Sequence, residues 1–364
     1  MADFTGQEYL RNPADAMERL RAFGPLVKVK FPIIGTVWTT TTQEAAGRVL
    51  KDSATFSLRK DGNVAGVPWW LPGIFRALAN NMLTFDEPDH TRLRGIVDEA
   101  FRRRAVLDME PRIAQFARTM ADELFDDGSR ADVVQRYARR LPLAVICELL
   151  GLPEADRGKF MAWADGATNV ASAAGFLRMI PGIYAIKRYI ERHLDHVRAH
   201  GGEGLIAELV RVERDGADIS REEMVAMVFL LLFAGHETTT HLISGSVFEI
   251  LKDPALRDWL AEEPDRMDLA VEEFLRFVTP VQFSKPHHVR RDVEIDGVQL
   301  VKGDRVMAML GAANLDPAAN ACPHKLDLAR KPNRPIAFGT AIHFCLGPQL
   351  ARLAGKCAVR ALIE

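Results

Sequence analysis

The sequence predicts a mainly α protein with a minor β-sheet, folded as a single domain over residues 1–364. Three observations predict it. Apolar residues recur at helical spacing over most of the chain. β-Branched, alternating stretches are confined to two regions, one toward each end. No Pro/Gly/Ser-rich linker, low-complexity tract or internal repeat divides the 364 residues, and 48% of them are apolar, ample for a large core.

Taken in order, residues 26–31 and 36–40 read as strands rich in Val and Thr. Residues 62–80 read as a loop with one short helix. Its run Val67-Pro68-Trp69-Trp70-Leu71-Pro72-Gly73-Ile74-Phe75 either lines a ligand site or packs beneath the loop. Amphipathic helices follow over 88–101, 111–125, 133–150, 183–199 and 222–251, and a shorter one over 269–277. Residues 293–300 alternate around Asp296-Gly297, a dipeptide suited to the left-handed turn of a hairpin, and a strand follows over 304–310. A last helix begins near Leu346.

Composition removes several function classes. A net charge of −2 argues against a nucleic-acid partner. The basic run Arg102-Arg103-Arg104 reads either as a solvated helix end or as a docking patch for a partner. Residues 1–10 lack the basic start and apolar core of a secretory signal, and the longest apolar run, 225–234, is about half of a membrane span. The expectation is a soluble cytoplasmic protein with neither membrane nor nucleic acid as partner. Cys147, Cys322, Cys345 and Cys357 contain no Cys-x-x-Cys pair, so neither structural zinc nor a disulfide framework is expected.

The segment Phe338-Gly339-Thr340-Ala341-Ile342-His343-Phe344-Cys345-Leu346-Gly347 is the most informative. Glycines on both sides of Cys345 let the backbone approach a flat ligand closely. A helix starting beside the cysteine favours its thiolate, through the dipole and the free N–H groups of its first turn. Such a thiolate is a soft ligand for iron. Read alone, the cysteine is equally a buried apolar residue.

Three further constellations stand out. Glu273 and Arg276, at i and i+3, share a helix face and can pair. Ala234-Gly235-His236-Glu237-Thr238-Thr239 interrupts a long apolar helix with a glycine and hydroxyls that compete for backbone carbonyls. His236-Glu237 followed by His241 suggests a zinc protease, but i, i+5 places the histidines about 140° apart, where a helical zinc pair needs i, i+4. His90 and Arg94, at i and i+4, can both donate to an anion, or form a solvated basic stripe.

Together these blocks resemble, in order and over nearly the whole chain, the cytochrome P450 family. Its haem signature is Phe-x-x-Gly-x-His/Arg-x-Cys-x-Gly, matched here at Phe338, His343, Cys345 and Gly347, followed by Leu350-Ala351-Arg352. The family's glycine four residues before the cysteine is Ala341, and Pro348 stands where bacterial members often have His. The resemblance implies the all-α triangular haem-thiolate fold with haem b on Cys345. It implies propionate contacts from His90, Arg94 and His343, and a buried structural Glu273–Arg276 pair. The family's further propionate arginine aligns with His287. Glu237 and Thr238 correspond to the acid–alcohol pair that delivers protons. Candidate cavity residues are Trp69, Trp70, Leu71, Phe75, Met82, Phe233, Ala234, Val278, Val281 and Phe283.

The resemblance implies a monooxygenase that uses O2 to hydroxylate or epoxidise an apolar small molecule. Electrons would come from NAD(P)H through a separate ferredoxin reductase and ferredoxin. A peroxide-driven peroxygenase of the same fold and a non-catalytic haem protein are the alternatives. The chain ends at Glu364, within the helix after Cys345, before the C-terminal β-hairpin expected of the family.

Overall fold

The computed structural model describes residues 9, 12–31, 34–60, 63–64, 73–98, 103–125, 130–167 and 173–364, without the side chains of 63–64, 75–76, 103–105, 125, 164–167 and 173–178. The chain runs α1 (Pro13–Arg21), β1 (Leu26–Phe31), β2 (Gly35–Thr40), α2 (Gln43–Lys51), β3 (Phe56–Ser57), β4 (Arg59–Lys60), β5 (Asn63–Val64), α3 (Gly73–Ala79), α4 (Asp89–Asp98), α5 (Arg103–Asp108) and α6 (Glu110–Phe125). A π-helical turn (Val134–Ala138) leads into α7 (Arg140–Leu150), α8 (Arg157–Ala167), α9 (Ala173–His200), α10 (Gly204–Arg214), α11 (Arg221–Lys252), α12 (Pro254–Glu262) and α13 (Arg266–Val278). Then come β6 (His287–Val289), β7 (Val293–Ile295), β8 (Val298–Leu300), β9 (Arg305–Met307), α14 (Leu310–Asn314) and α15 (Pro348–Ile363).

The described residues group into two compact units. One takes them from Met1–Trp69, Leu83–His90 and Gly245–Pro348. Its sheet has the order β1-β2-β9-β6-β3, so strands from both ends of the sequence share one sheet. β1 and β2 form an antiparallel hairpin, and β2 pairs with β9 in parallel, Trp38 opposite Val306. Both φ angles are positive at Asp296 and Gly297, the turn joining β7 to β8. Local sequence sets the helix starts. Asn12 caps α1 ahead of Pro13, and the Thr42 side chain accepts from the Ala45 N–H at 3.2 Å to cap α2. The apolar core includes Met17, Leu20, Val29, Met309 and Ala312, with a second cluster around Val49, Phe56, Leu300 and Val306.

The other unit takes its described residues from Trp70–Met82, Thr91–Ser244 and Gln349–Glu364 and is helical. α8 packs on α9, and α7 on α6 and α10. α7 is buried on nearly every side, from Leu141 to Leu150, as its almost unbroken apolar sequence requires. It ends at Gly151 in a left-handed conformation (φ 75°), where a Cβ would collide with the Glu203 carbonyl, so only glycine fits this close approach.

Some expectations need correction. The stretch 133–150 is not one α-helix: a π turn precedes α7, the helix starting just before Pro142, whose missing N–H cannot extend the ladder backward. The strand expected over 304–310 ends at Met307, and Leu310 starts α14. The helix expected over 183–199 begins at Ala173. α11 is long and apolar enough to cross a membrane, but 61% of its apolar window is buried within the structure, as in a core helix.

Candidate active site

Cys345 sits in a tight loop that leads into α15. Its own N–H donates to the Phe338 carbonyl at 2.9 Å, and the Phe344 N–H to that of Ala341 at 3.0 Å, closing a 3₁₀ turn over Ala341–His343 that packs against α2. Pro348 takes the first position of α15, where its missing N–H costs nothing. The helix therefore begins three residues after a half-buried thiol. Ala341 has φ +61°, a left-handed backbone that an alanine adopts only under strain. The other cysteines differ in kind. Burial pushes the Cys147 thiol up to about 12 and that of Cys357 to about 11, so both stay neutral; Cys322 is exposed.

A polar scaffold holds this loop from below. Glu273 and Arg276 in α13 are fully buried and paired in a fork, at 2.8 Å through both nitrogens. Arg276 donates to the Asn314 and Pro323 carbonyls, at 3.1 and 2.8 Å. Glu273 also accepts from Arg330 and Asn333, each at 3.1 Å. Asn314 in turn accepts the Ile336 N–H at 2.7 Å, two residues before Phe338. Sequence reasoning missed Arg330, Asn333 and Asn314; nothing in their local spacing points to Glu273.

His90, near the start of α4, is buried and lies edge-on to His343, ring centroids 4.4 Å apart. The Glu87 carboxylate is 3.7 Å from its Nδ1. Two imidazoles, from positions far apart in sequence, thus meet in the unit that holds Cys345. Arg94 is one helical turn after His90 on the same face, with Asp98 at 3.5 Å. His287 opens β6 opposite Val306, and burial pushes its imidazole down to about 4, so it is neutral at pH 7 and offers an N–H rather than a charge.

In α11 the residues sort by face. Ala234, Glu237 and His241 are exposed and Thr238 is half-buried, whereas His236, Thr239 and Thr240 are buried. The Thr238 hydroxyl donates to the Ala234 carbonyl at 2.7 Å, and that of Thr240 to the His236 carbonyl at 2.9 Å. A Cβ at Gly235 would lie 3.0 Å from Ile146 Cδ1, so α11 and α7 approach closely here. The His236 Nε2 donates to the Arg139 carbonyl at 3.0 Å, while His241 is exposed, and the two histidines face apart. Sequence reasoning missed the His236–Arg139 contact, which spans 97 positions.

Trp69, Trp70, Leu71 and the Phe75 side chain lie outside the described residues, as do Arg102 and the side chains of Arg103 and Arg104. Met82 is buried, and Phe233 packs on Phe229 with centroids 4.6 Å apart. Val278 fills the space beside Gly245, Val281 packs on the cluster around Ala308 and Ile336, and Phe283 meets Phe31 edge-on at 5.4 Å. These last three spend at least part of their surface on core packing.

Among the described residues no three His, Cys, Asp or Glu side chains converge on one point. A single half-buried cysteine just before a helix start, with two imidazoles in contact that can donate to acid groups, suits instead a metal that brings its own macrocycle and carboxylates.

Comparison with known proteins agrees with that chemistry. The family model described as "Cytochrome P450" matches residues 183–364. The chain is 37% identical to "Cytochrome P450 monooxygenase PikC" of Streptomyces venezuelae, over 99% of this chain and 85% of that protein. It is also 37% identical to "Vitamin D(3) 25-hydroxylase" of Pseudonocardia autotrophica, over 98% and 87%. The solved structure of the Bacillus subtilis 168 bacillaene polyketide synthase protein PksS superposes with a TM-score of 0.89 at 31% identity, covering 99% of this chain and 90% of that one.

Proposed function

Since this chain belongs to the cytochrome P450 family and is a haem-dependent monooxygenase, we propose that it inserts one atom of O2 into an apolar small molecule, hydroxylating or epoxidising it. Haem would supply the redox-active iron for O2 activation, with a thiolate as its soft ligand. Cys345 holds that iron. His90, Arg94 and His343 take the propionates, and His287 adds a neutral donor. Electrons come from NAD(P)H through a separate reductase and ferredoxin. Terpenoids, steroids, fatty acids and polyketides are the substrate classes; relatives named for vitamin D(3), polyketide biosynthesis and mycinamicin IV support that range. A spectral binding screen across these classes selects the substrate.

The face that α11 leaves open carries the proposal. Glu237 and Thr238 lie about 100° apart on the helix, so one can donate at the reacting oxygen while the other takes protons from solvent. Thr239 is buried and plays no such part. In a reconstituted system Thr238→Ala should keep NAD(P)H consumption but divert it to hydrogen peroxide, lowering product per NAD(P)H severalfold, and Thr239→Ala should not. If both stay coupled, the proton relay is wrong and the peroxide-driven reading replaces it.

A further inference from the structure

We infer that His236 is a positioning residue: its ring N–H, donated to the Arg139 carbonyl, fixes the rotation of α11 that presents Glu237 and Thr238. The inference rests on the proton-delivery role proposed for those two residues. A carbonyl oxygen only accepts, so the Nε2 of His236 carries the hydrogen, and the ring is buried. Arg139 stands where the π turn ends, its own N–H bonded to the Val134 carbonyl five residues back.

The turn of α11 that needs fixing is soft. Gly235 stiffens nothing, and hydroxyls from Thr238 and Thr240 occupy the carbonyls of Ala234 and His236, in competition with the helix ladder. Intrahelical bonds therefore define its rotation weakly. Besides the packing of its buried face, two contacts with the preceding segment act on this turn from outside. One is steric, Gly235 against Ile146. The other is directional, His236 to Arg139. Glu237 and Thr238 are the next two residues, about 100° and 200° further round the helix. Loss of the directional contact lets both swing, while the steric contact still keeps the helix in place.

The test compares His236→Phe, which keeps a ring without a donor, with His236→Gln, whose amide N–H2 reaches as far as Nε2. Thr238→Ala is measured alongside, using a plant-type ferredoxin and its reductase and the tightest-binding compound of the screen. His236→Phe should lower product per NAD(P)H at least threefold, with KM changed less than twofold and the thiolate–carbon monoxide band retained. Amide hydrogen exchange of residues 234–242 in the haem-free protein should accelerate about tenfold. His236→Gln should restore both readouts. Should His236→Phe fail to fold, His236→Leu takes its place in the comparison. If Thr238→Ala uncouples turnover but His236→Phe does not, or if His236→Gln uncouples as much as His236→Phe, the positioning role is refuted and the relay stands. If Thr238→Ala stays coupled, the relay itself falls, and the inference with it.

Discussion

Single residues decide whether the cysteine loop is strained. The haem signature has glycine where this chain has Ala341, and a left-handed backbone there is costly for a residue with a Cβ. The φ of +61° places that cost in the turn leading to Cys345. A non-glycine residue in this region loses about 1–2 kcal/mol, whereas glycine's extra unfolded freedom returns about 0.5–1. Ala341→Gly should therefore stabilise the haem-loaded protein by about 0.5–1 kcal/mol and slow haem loss, as seen in chemical denaturation and transfer of haem to apomyoglobin. A lower midpoint would mean that the loop has adapted to the methyl group. Cys345 and its neighbours were legible because short-range pattern carries them. The His236–Arg139 contact was not, because its two partners are 97 positions apart and neither has a local signature.

At the scale of elements, legibility follows where the determining contacts lie. The β7–β8 hairpin was readable because Asp296-Gly297 satisfies its own turn geometry. β3 and β6 were not, since two or three residues pair only where tertiary contacts bring them, Phe56 opposite Val289. α13 is the instructive case. Glu273-x-x-Arg276 reads as an ordinary helical pair, worth little on a surface, but here it is fully buried and carries the scaffold beneath the cysteine loop. Breaking such a pair leaves buried cations uncompensated, and Arg276 and Arg330 both depend on Glu273. Glu273→Gln should cost about 3–5 kcal/mol in urea denaturation of the haem-loaded protein. Glu273→Gln combined with Arg276→Met should cost less than the sum of the two single changes, because the second removes the charge that the first strands. A single-variant cost below about 1 kcal/mol would show that water or rearranged carbonyls replace the carboxylate.

For the molecule as a whole, composition and periodicity gave the class, and the two strand-bearing regions of the sequence meet in one sheet, β2 beside β9. What they could not give is how burial tunes charge, and His287 turns that into a test of global stability. Its imidazole, lowered to about 4 chiefly by burial, is opposed only in part by Asp86, with His288 adding to the lowering. The unfolded chain titrates near 6.5, so below that pH it binds a proton that the folded protein refuses. Stability from this residue is thus intact above about pH 6.5 and lost progressively as pH falls through about 4. Asp156 and Glu223, both lowered, and His193, lowered mainly by burial, push the same way. In haem-free protein, His287→Gln should remove about 2 kcal/mol of the stability lost between pH 7 and pH 5. If His287 meets a haem carboxylate, that anion raises its pKa toward the ordinary range, and the same substitution should change the pH dependence of the haem-loaded protein by less than about 1 kcal/mol. Urea midpoints at the two pH values, with and without haem, decide it. Equal effects in both forms would separate His287 from the propionates, leaving His90, Arg94 and His343 as the donors proposed for them.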